Sequence, residues 1–201
     1  MTDDIGMYKL TDKDIDKGTT VLCSAFFNYP AFVYLFPDTG ERKRKLRHVM
    51  RFFLNCALLR GEILAPSKNI ESVCILYKSI DLDIGLYTLF NAGLIGTICN
   101  LSFKSFIKFK KLGDAKRKNR DSLIDREYYF IDLIGTDPAL EKKGYAGALI
   151  EAVIKKSDAD KTCCFLETSK IENINFYTRY GFRLFHTYGF GGLTSYCMIR
   201  N

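Results

Sequence analysis

The stretch that decides the fold is residues 128–154, YYFIDLIGTDPALEKKGYAGALIEAVI. Its opening, residues 128–134, is aromatic and aliphatic and predicts a strand. Thr136, Asp137 and Pro138 break that strand, because proline fixes its own φ and has no N–H for a ladder. A helix is expected from near Gly144, where Ala146, Leu149, Ile150 and Val153 recur at the spacing of one helix face. Between strand and helix lies EKKGYAG, residues 141–147. Successive N–H groups at a helix start bind phosphate oxygens without any particular side chain, and glycine lets the ligand approach closely. The loop lacks the third glycine of a dinucleotide fingerprint, and there is no GxxxxGK[ST], so neither a Rossmann site nor a P-loop is supported. Taken alone, a strand–glycine–helix turn is more often structural than functional.

Downstream, CCFLETSKIENINFYTRYGFRLF follows at residues 163–185. Residues 162–168 read as a strand, and residues 172–180 as a short helix stopped by Gly181 in the left-handed capping position. Residues 182–188 and 193–200 form a hairpin around GFGG. Upstream, residues 12–27 and 41–60 predict two helices joined by an aromatic turn, NYPAFVYLFPD. Two short strands are expected at residues 62–65 and 72–78. The order strand, helix, strand, helix, strand, strand in the second half indicates a mixed α/β or α+β domain.

Taken together, these segments closely resemble the GNAT superfamily of N-acetyltransferases. In that family a strand ends in a turn, a Gln/Arg-x-x-Gly-x-Gly/Ala loop cradles the pyrophosphate of acetyl-CoA, and a later Asn-x-x-x-Tyr helix closed by Gly-Phe completes the site. Here Lys142, Lys143, Gly144, Tyr145, Ala146 and Gly147 match the loop, Asn173 and Tyr177 the later helix, and Gly181-Phe182 its end. The resemblance is firm over residues 127–200 and looser upstream. It implies a mixed, mostly antiparallel central sheet flanked by helices, with acetyl-CoA as the acetyl donor. It also implies that the backbone of Ile134, Gly135 and Thr136 pairs with the pantetheine arm, an extended amide chain that can use a free strand edge. One departure stands out: the first loop position is Glu141, whose charge would repel a pyrophosphate, and Lys142 and Lys143 directly after it can offset that.

The chemistry expected is direct attack of a primary amine on the thioester. An alkyl amine with a pKa of about 10 is roughly one part in a thousand neutral at pH 7, so a base must take its proton. The departing thiolate gains from a donor, and the resemblance assigns that role to Tyr177, four residues from Asn173 on one helix face. For the base, Glu167 is favoured, with Asp132, Glu127 or a water relay as alternatives. His48 and His186 fall outside the motifs, lack ligand spacing, and leave no material for a metal site.

Bulk properties frame this reading. A chain of 201 residues, 47% hydrophobic, is long enough for one domain over residues 1–201. The polar start, residues 1–16, carries no apolar signal core, and seven cysteines without a CxxC suggest reduced thiols, so a cytoplasmic protein is expected. The net charge of +7 is concentrated: residues 104–120 hold eight Lys or Arg against one Asp, and the rest of the chain balances at 22 of each sign. That run is expected to be a solvated face; no nucleic-acid signature accompanies it. Residues 84–103 carry no charge, and seven Gly, Thr and Asn residues dilute them, which argues for a buried or substrate-lining helix over a membrane span. The partner expected is a small-molecule or peptide amine, with a homodimer left open. Two other functions stay in play: an idle acyl-CoA-binding or sensor domain, and a peripheral membrane protein attached through residues 84–120.

Overall fold

The computed structural model describes residues 6–83 and 85–201. The first residues of the polar start, and Ile84 at the head of the charge-free stretch, therefore lie outside the described residues. In chain order the elements are β1 (Tyr8–Lys9), α1 (Ile15–Phe26), α2 (Pro30–Leu35), α3 (Thr39–Arg60), β2 (Glu62–Ala65) and β3 (Ser72–Lys78). Then come α4 (Leu86–Asn91), α5 (Leu94–Asn100), α6 (Phe103–Leu123), β4 (Tyr128–Thr136) and α7 (Tyr145–Ala159). The chain ends with β5 (Cys163–Thr168), α8 (Glu172–Thr178), β6 (Arg183–Phe190) and β7 (Leu193–Arg200). All seven strands join one sheet in the order β1-β2-β3-β4-β5-β7-β6. Every neighbouring pair is antiparallel except β4 and β5, whose parallel pairing needs the crossover that α7 supplies.

Side chains alternate across the sheet and build two cores. Tyr128, Phe130, Phe165 and Ile199 face α1 and α3, packing with Leu22, Phe26, Val49 and Leu54. Tyr129, Ile131, Leu166 and Met198 face the other way, against Leu149, Ile150 and Val153 of α7 and Tyr177 of α8. The spacing that predicted α7 is thus its buried stripe. The fold is the mixed, mostly antiparallel sheet flanked by helices that the resemblance implied.

Three local expectations are refined or corrected. The aromatic turn contains α2, because Pro30 sits in the first turn, where its fixed φ and missing N–H suit a helix start. The basic run belongs to one 21-residue helix, α6, capped where the Ser102 side chain accepts from the Ser105 N–H. The charge-free stretch does not bury a helix: it divides into α4 and α5 at Gly93, which adopts φ +90, and much of its apolar surface faces solvent. Among the described residues no helix is long and apolar enough to cross a membrane.

Packing is close where α1 crosses β4. A Cβ built on Gly135 would lie 2.8 Å from the Ala25 Cβ and 2.9 Å from a Phe26 ring carbon. Gly135→Ala is therefore expected to cost about 1–3 kcal/mol of stability through overpacking, measured by equilibrium denaturation. Unchanged stability would mean that α1 is not seated as described.

Candidate active site

β4 and β5 pair only from Tyr128↔Cys163 to Ile131↔Leu166. Beyond that point β4 continues along β3 to Thr136, with a register shift between Ile75 and Leu76 opposite Asp132. The edge of β4 that faced β5 is therefore free from Asp132 onward. Its donors can be assigned from the ladder. The Asp137 N–H donates to the Glu71 carbonyl, so residues 137 and 135 turn their backbone groups to β3, and residues 134 and 136 turn theirs into the gap. Ile134 and Thr136 thus offer backbone pairing to a ligand, and Gly135 contributes close approach to α1.

At the end of β4, Asp137 accepts from the Ala139 N–H, and a short 3-10 turn leads to the loop. Lys142 and Gly144 both take positive φ, +63 and +85, so the chain reverses sharply before α7. No side chain caps the α7 N-terminus, and a Cβ at Gly144 would meet open space. The first amides of α7 therefore have no side-chain acceptor at the cap position, and exposed Lys142 and Lys143 lie just before them. Glu141 is exposed beside them. Gly147 does a different job: a Cβ there would collide with the Tyr180 hydroxyl, so the loop helix is packed directly against the chain end of α8.

Asn173 and Tyr177 lie on α8, next to the C-terminal end of β5. The Asn173 amide donates to the Thr168 hydroxyl at 3.0 Å, and the Tyr29 hydroxyl lies 3.2 Å from the same oxygen while accepting from the Ser169 N–H at 2.6 Å. Tyr177 is buried on the α7 side of the sheet, and burial pushes its phenol well above the usual tyrosine range. That phenol stays protonated throughout the working pH range.

Glu167 lies on the opposite face. It follows Leu166, which points to α7, and its partner Tyr188 packs with the other core. The Tyr188 hydroxyl donates to Glu167 Oε2 at 2.9 Å, and Lys116 of α6 brings its ammonium to 3.9 Å. The Glu167 side chain is only 2% exposed, yet its Oε1 has no hydrogen-bond partner. A buried, unpaired carboxylate oxygen is costly, and its cost falls when a donor arrives. Asp132 belongs to the same neighbourhood. Burial raises its carboxyl above the usual range, Lys116 and Arg120 pull it back, and Glu167 pushes it further up. Arg120 is itself buried, with its guanidinium 4.7 Å from the Phe130 ring centre.

The remaining candidates are elsewhere. Glu127 is exposed at the far end of β4, beside a surface depression lined by Arg126, Asp158, Asp160 and Thr162, away from the gap. His48 is half-buried on α3; His186 is exposed, its ring stacked 6.3 Å from that of Tyr188. Among the described residues no three His, Cys, Asp or Glu side chains form a metal-holding cluster. Sequence reasoning missed Tyr29, Lys116 and Tyr188. None stands in a motif; each reaches the gap from a separate element, and only the aromatic density around Tyr29 offered a signal.

Comparison with known proteins accords with this geometry. A family model described as the acetyltransferase (GNAT) family matches residues 94–182, which span β4, the loop, α7, β5 and α8. An uncharacterised N-acetyltransferase of Schizosaccharomyces pombe is 27% identical over 184 residues, covering 85% of this chain and 71% of that protein. A crystal structure of a histone acetyltransferase HPA2 and related acetyltransferase from Corynebacterium glutamicum shares the fold, with a TM-score of 0.67, 16% identity, and coverage of 96% and 94% of the two chains. So does the C-terminal condensation domain of Ebony in complex with beta-alanyl-dopamine, with a TM-score of 0.65, 9% identity, and coverage of 96% and 97%.

The Asp132 environment yields a pH test. A carboxyl raised by folding costs stability in its charged form. That cost is fully present above the folded pKa and vanishes below the ordinary carboxylate value. Asp132→Asn is expected to stabilise the fold near neutral pH, with the gain shrinking as pH falls to the ordinary aspartate range. Urea titrations across that range measure it. Destabilisation at neutral pH would mean that Lys116 and Arg120 outweigh the burial.

Proposed function

We propose, from the match of residues 94–182 to the acetyltransferase (GNAT) family, that this chain transfers acetyl from acetyl-CoA to a primary amine by direct attack. The observation that carries this reading is the pair of opposed groups at the β4–β5 gap. Glu167, with a bare oxygen, lies on one face of β5, and the protonated Tyr177 lies on the other. Attack and departure occur on different sides of a thioester carbonyl, so a base and a donor on opposite faces suit the reaction.

The residues present fit acetyl-CoA. The uncapped first turn of α7, the open position at Gly144 and the lysines Lys142 and Lys143 suit its phosphates. The free edge at Ile134 and Thr136 suits its amide-bearing arm, and Gly147 and Tyr180 hold the loop helix to α8. Bound there, acetyl-CoA supplies an activated acyl group. The exposed Glu141 carboxylate weakens phosphate attraction without touching the backbone donors.

On the acceptor face, Glu167 Oε1 accepts the incoming ammonium and then its proton, while Tyr188 holds Oε2 and fixes the carboxylate. Lys116, with its ammonium 3.9 Å away, marks with its own charge where an amine is stabilised. Asp132 adds a second carboxyl group to that face, which suits cationic acceptors. On the donor face, Tyr177 gives a hydrogen bond to the leaving sulfur; burial keeps its hydroxyl protonated, so it acts as a hydrogen-bond donor. Cys197 pairs with Glu167 across the ladder, but burial pushes its thiol up to about 12, so it offers little thiolate for an acyl-cysteine route. The same reading takes residues 1–201 as one domain, since all seven strands join one sheet.

Calorimetry with CoA is expected to show one site per chain, and Gly144→Val to weaken it sharply, because a branched residue resists positive φ. No binding at millimolar CoA would remove the proposal. In an amine panel scored by free-thiol release, Tyr177→Phe is expected to lower turnover roughly 10²-fold and leave CoA affinity within a few-fold. CoA binding without turnover on any amine would favour the idle acyl-CoA-binding domain, the reading that Glu141 supports.

A further inference from the structure

Expected to be a buried or substrate-lining helix, the charge-free stretch presents apolar side chains to solvent. On α4, Leu86, Tyr87 and Phe90 are 83%, 84% and 65% exposed; Ile95 on α5 is 54% exposed, and Phe103 at the start of α6 is 79% exposed. Scattered exposed apolar residues are ordinary, but five large ones within residues 86–103 are a local concentration. The other side of these helices is anchored: Ala92, Leu89 and Leu94 pack on Phe52 and Cys56 of α3, and Asn55 donates to the Ala92 carbonyl at 3.1 Å.

The basic helix is their neighbour. Phe52 seats α4 and α5, and the next residue, Phe53, has its ring 5.9 Å from that of Phe109 on α6. Phe103 and Lys104 open α6 side by side, both exposed, and Lys110, Lys111, Arg117 and Lys118 are exposed further along. Asp114 alone, paired with Lys110, opposes them within residues 104–120, the segment that carries the protein's whole charge excess.

We propose that α4, α5 and the first turns of α6 dock this protein onto an anionic lipid surface. Aromatic and aliphatic side chains enter the boundary between headgroups and acyl chains, and the adjoining lysines are drawn to the negative headgroups. A second copy is a poorer occupant, because a two-fold contact through this face would set the basic helix against its own image. The attachment is peripheral and uses none of the residues of the acetyl-transfer site.

The test is co-sedimentation of the full chain with vesicles of phosphatidylcholine, alone or with phosphatidylserine, at low and high salt. Partition onto the anionic vesicles, weakened by salt and slight on phosphatidylcholine alone, is expected. The triple variant Leu86→Ser, Tyr87→Ser, Phe90→Ser should lower it at least roughly tenfold, and Lys104→Glu or Lys111→Glu should each lower it about fivefold. Circular dichroism checks the fold, and Phe103→Ser alone serves if the triple variant fails to fold. No partition onto anionic vesicles at low salt overturns the proposal. So does partition that the serine variants leave unchanged, which would be adsorption by charge alone. A dimer in sedimentation velocity that the triple variant dissolves, without lipid binding, would assign the patch to a second copy.

Discussion

The parting of β4 from β5 after Ile131 and Leu166 is the constraint on which the site depends. Pairing up to that point fixes both strands against the cores. Beyond it, β4 holds to β3 and leaves its other edge without a partner, and an unpaired strand edge calls for a ligand or another strand. The register shift opposite Asp132 falls at the same place, so the bulge and the gap are one feature. Because side chains alternate, the parting also sets chemically distinct groups on its two sides: Glu167 and Asp132 toward α6, Tyr177 toward α7.

The parallel pairing explains why the glycine loop before α7 sits where it does. A parallel neighbour requires a crossover, and the crossover helix must begin at the C-terminal end of β4. Its N-terminus is thereby delivered next to the free edge, with Gly144 in positive φ making the reversal and Gly147 letting Tyr180 close against the helix. Loop, edge and α8 are tied together by packing, which holds the proposed cofactor end in place. The acceptor end is assembled differently, from single side chains on α6, β5 and β6.

That difference sets how much could be read from the sequence. The β4–loop–α7 unit was legible because local chemistry dictates it: a strand run, a proline break, a glycine at the turn and a helical apolar stripe lie within one short stretch. Gly181 likewise announced its own conformation, φ +83. Tyr188 and Lys116 were not legible, because each joins Glu167 only through tertiary placement, and neither neighbours a motif. Gly135 was read as a backbone contact, yet the ladder phase turns its amide to β3, a detail that depends on register. For the charge-free stretch, the buried alternative failed for a related reason. Apolar composition favours burial on average, but Gly85 and Gly93 break the stretch into helices too short to cover their own surface.

The central claim is that the free edge of β4 and the first turn of α7 hold acetyl-CoA. Residue-resolved amide exchange with and without CoA tests it most directly. The account predicts new protection at Ile134 and Thr136 and at Tyr145, Ala146 and Gly147, with Gly135 protected in both states by its bond to β3. If CoA binds and those amides exchange as before, the ligand lies elsewhere and the account is wrong.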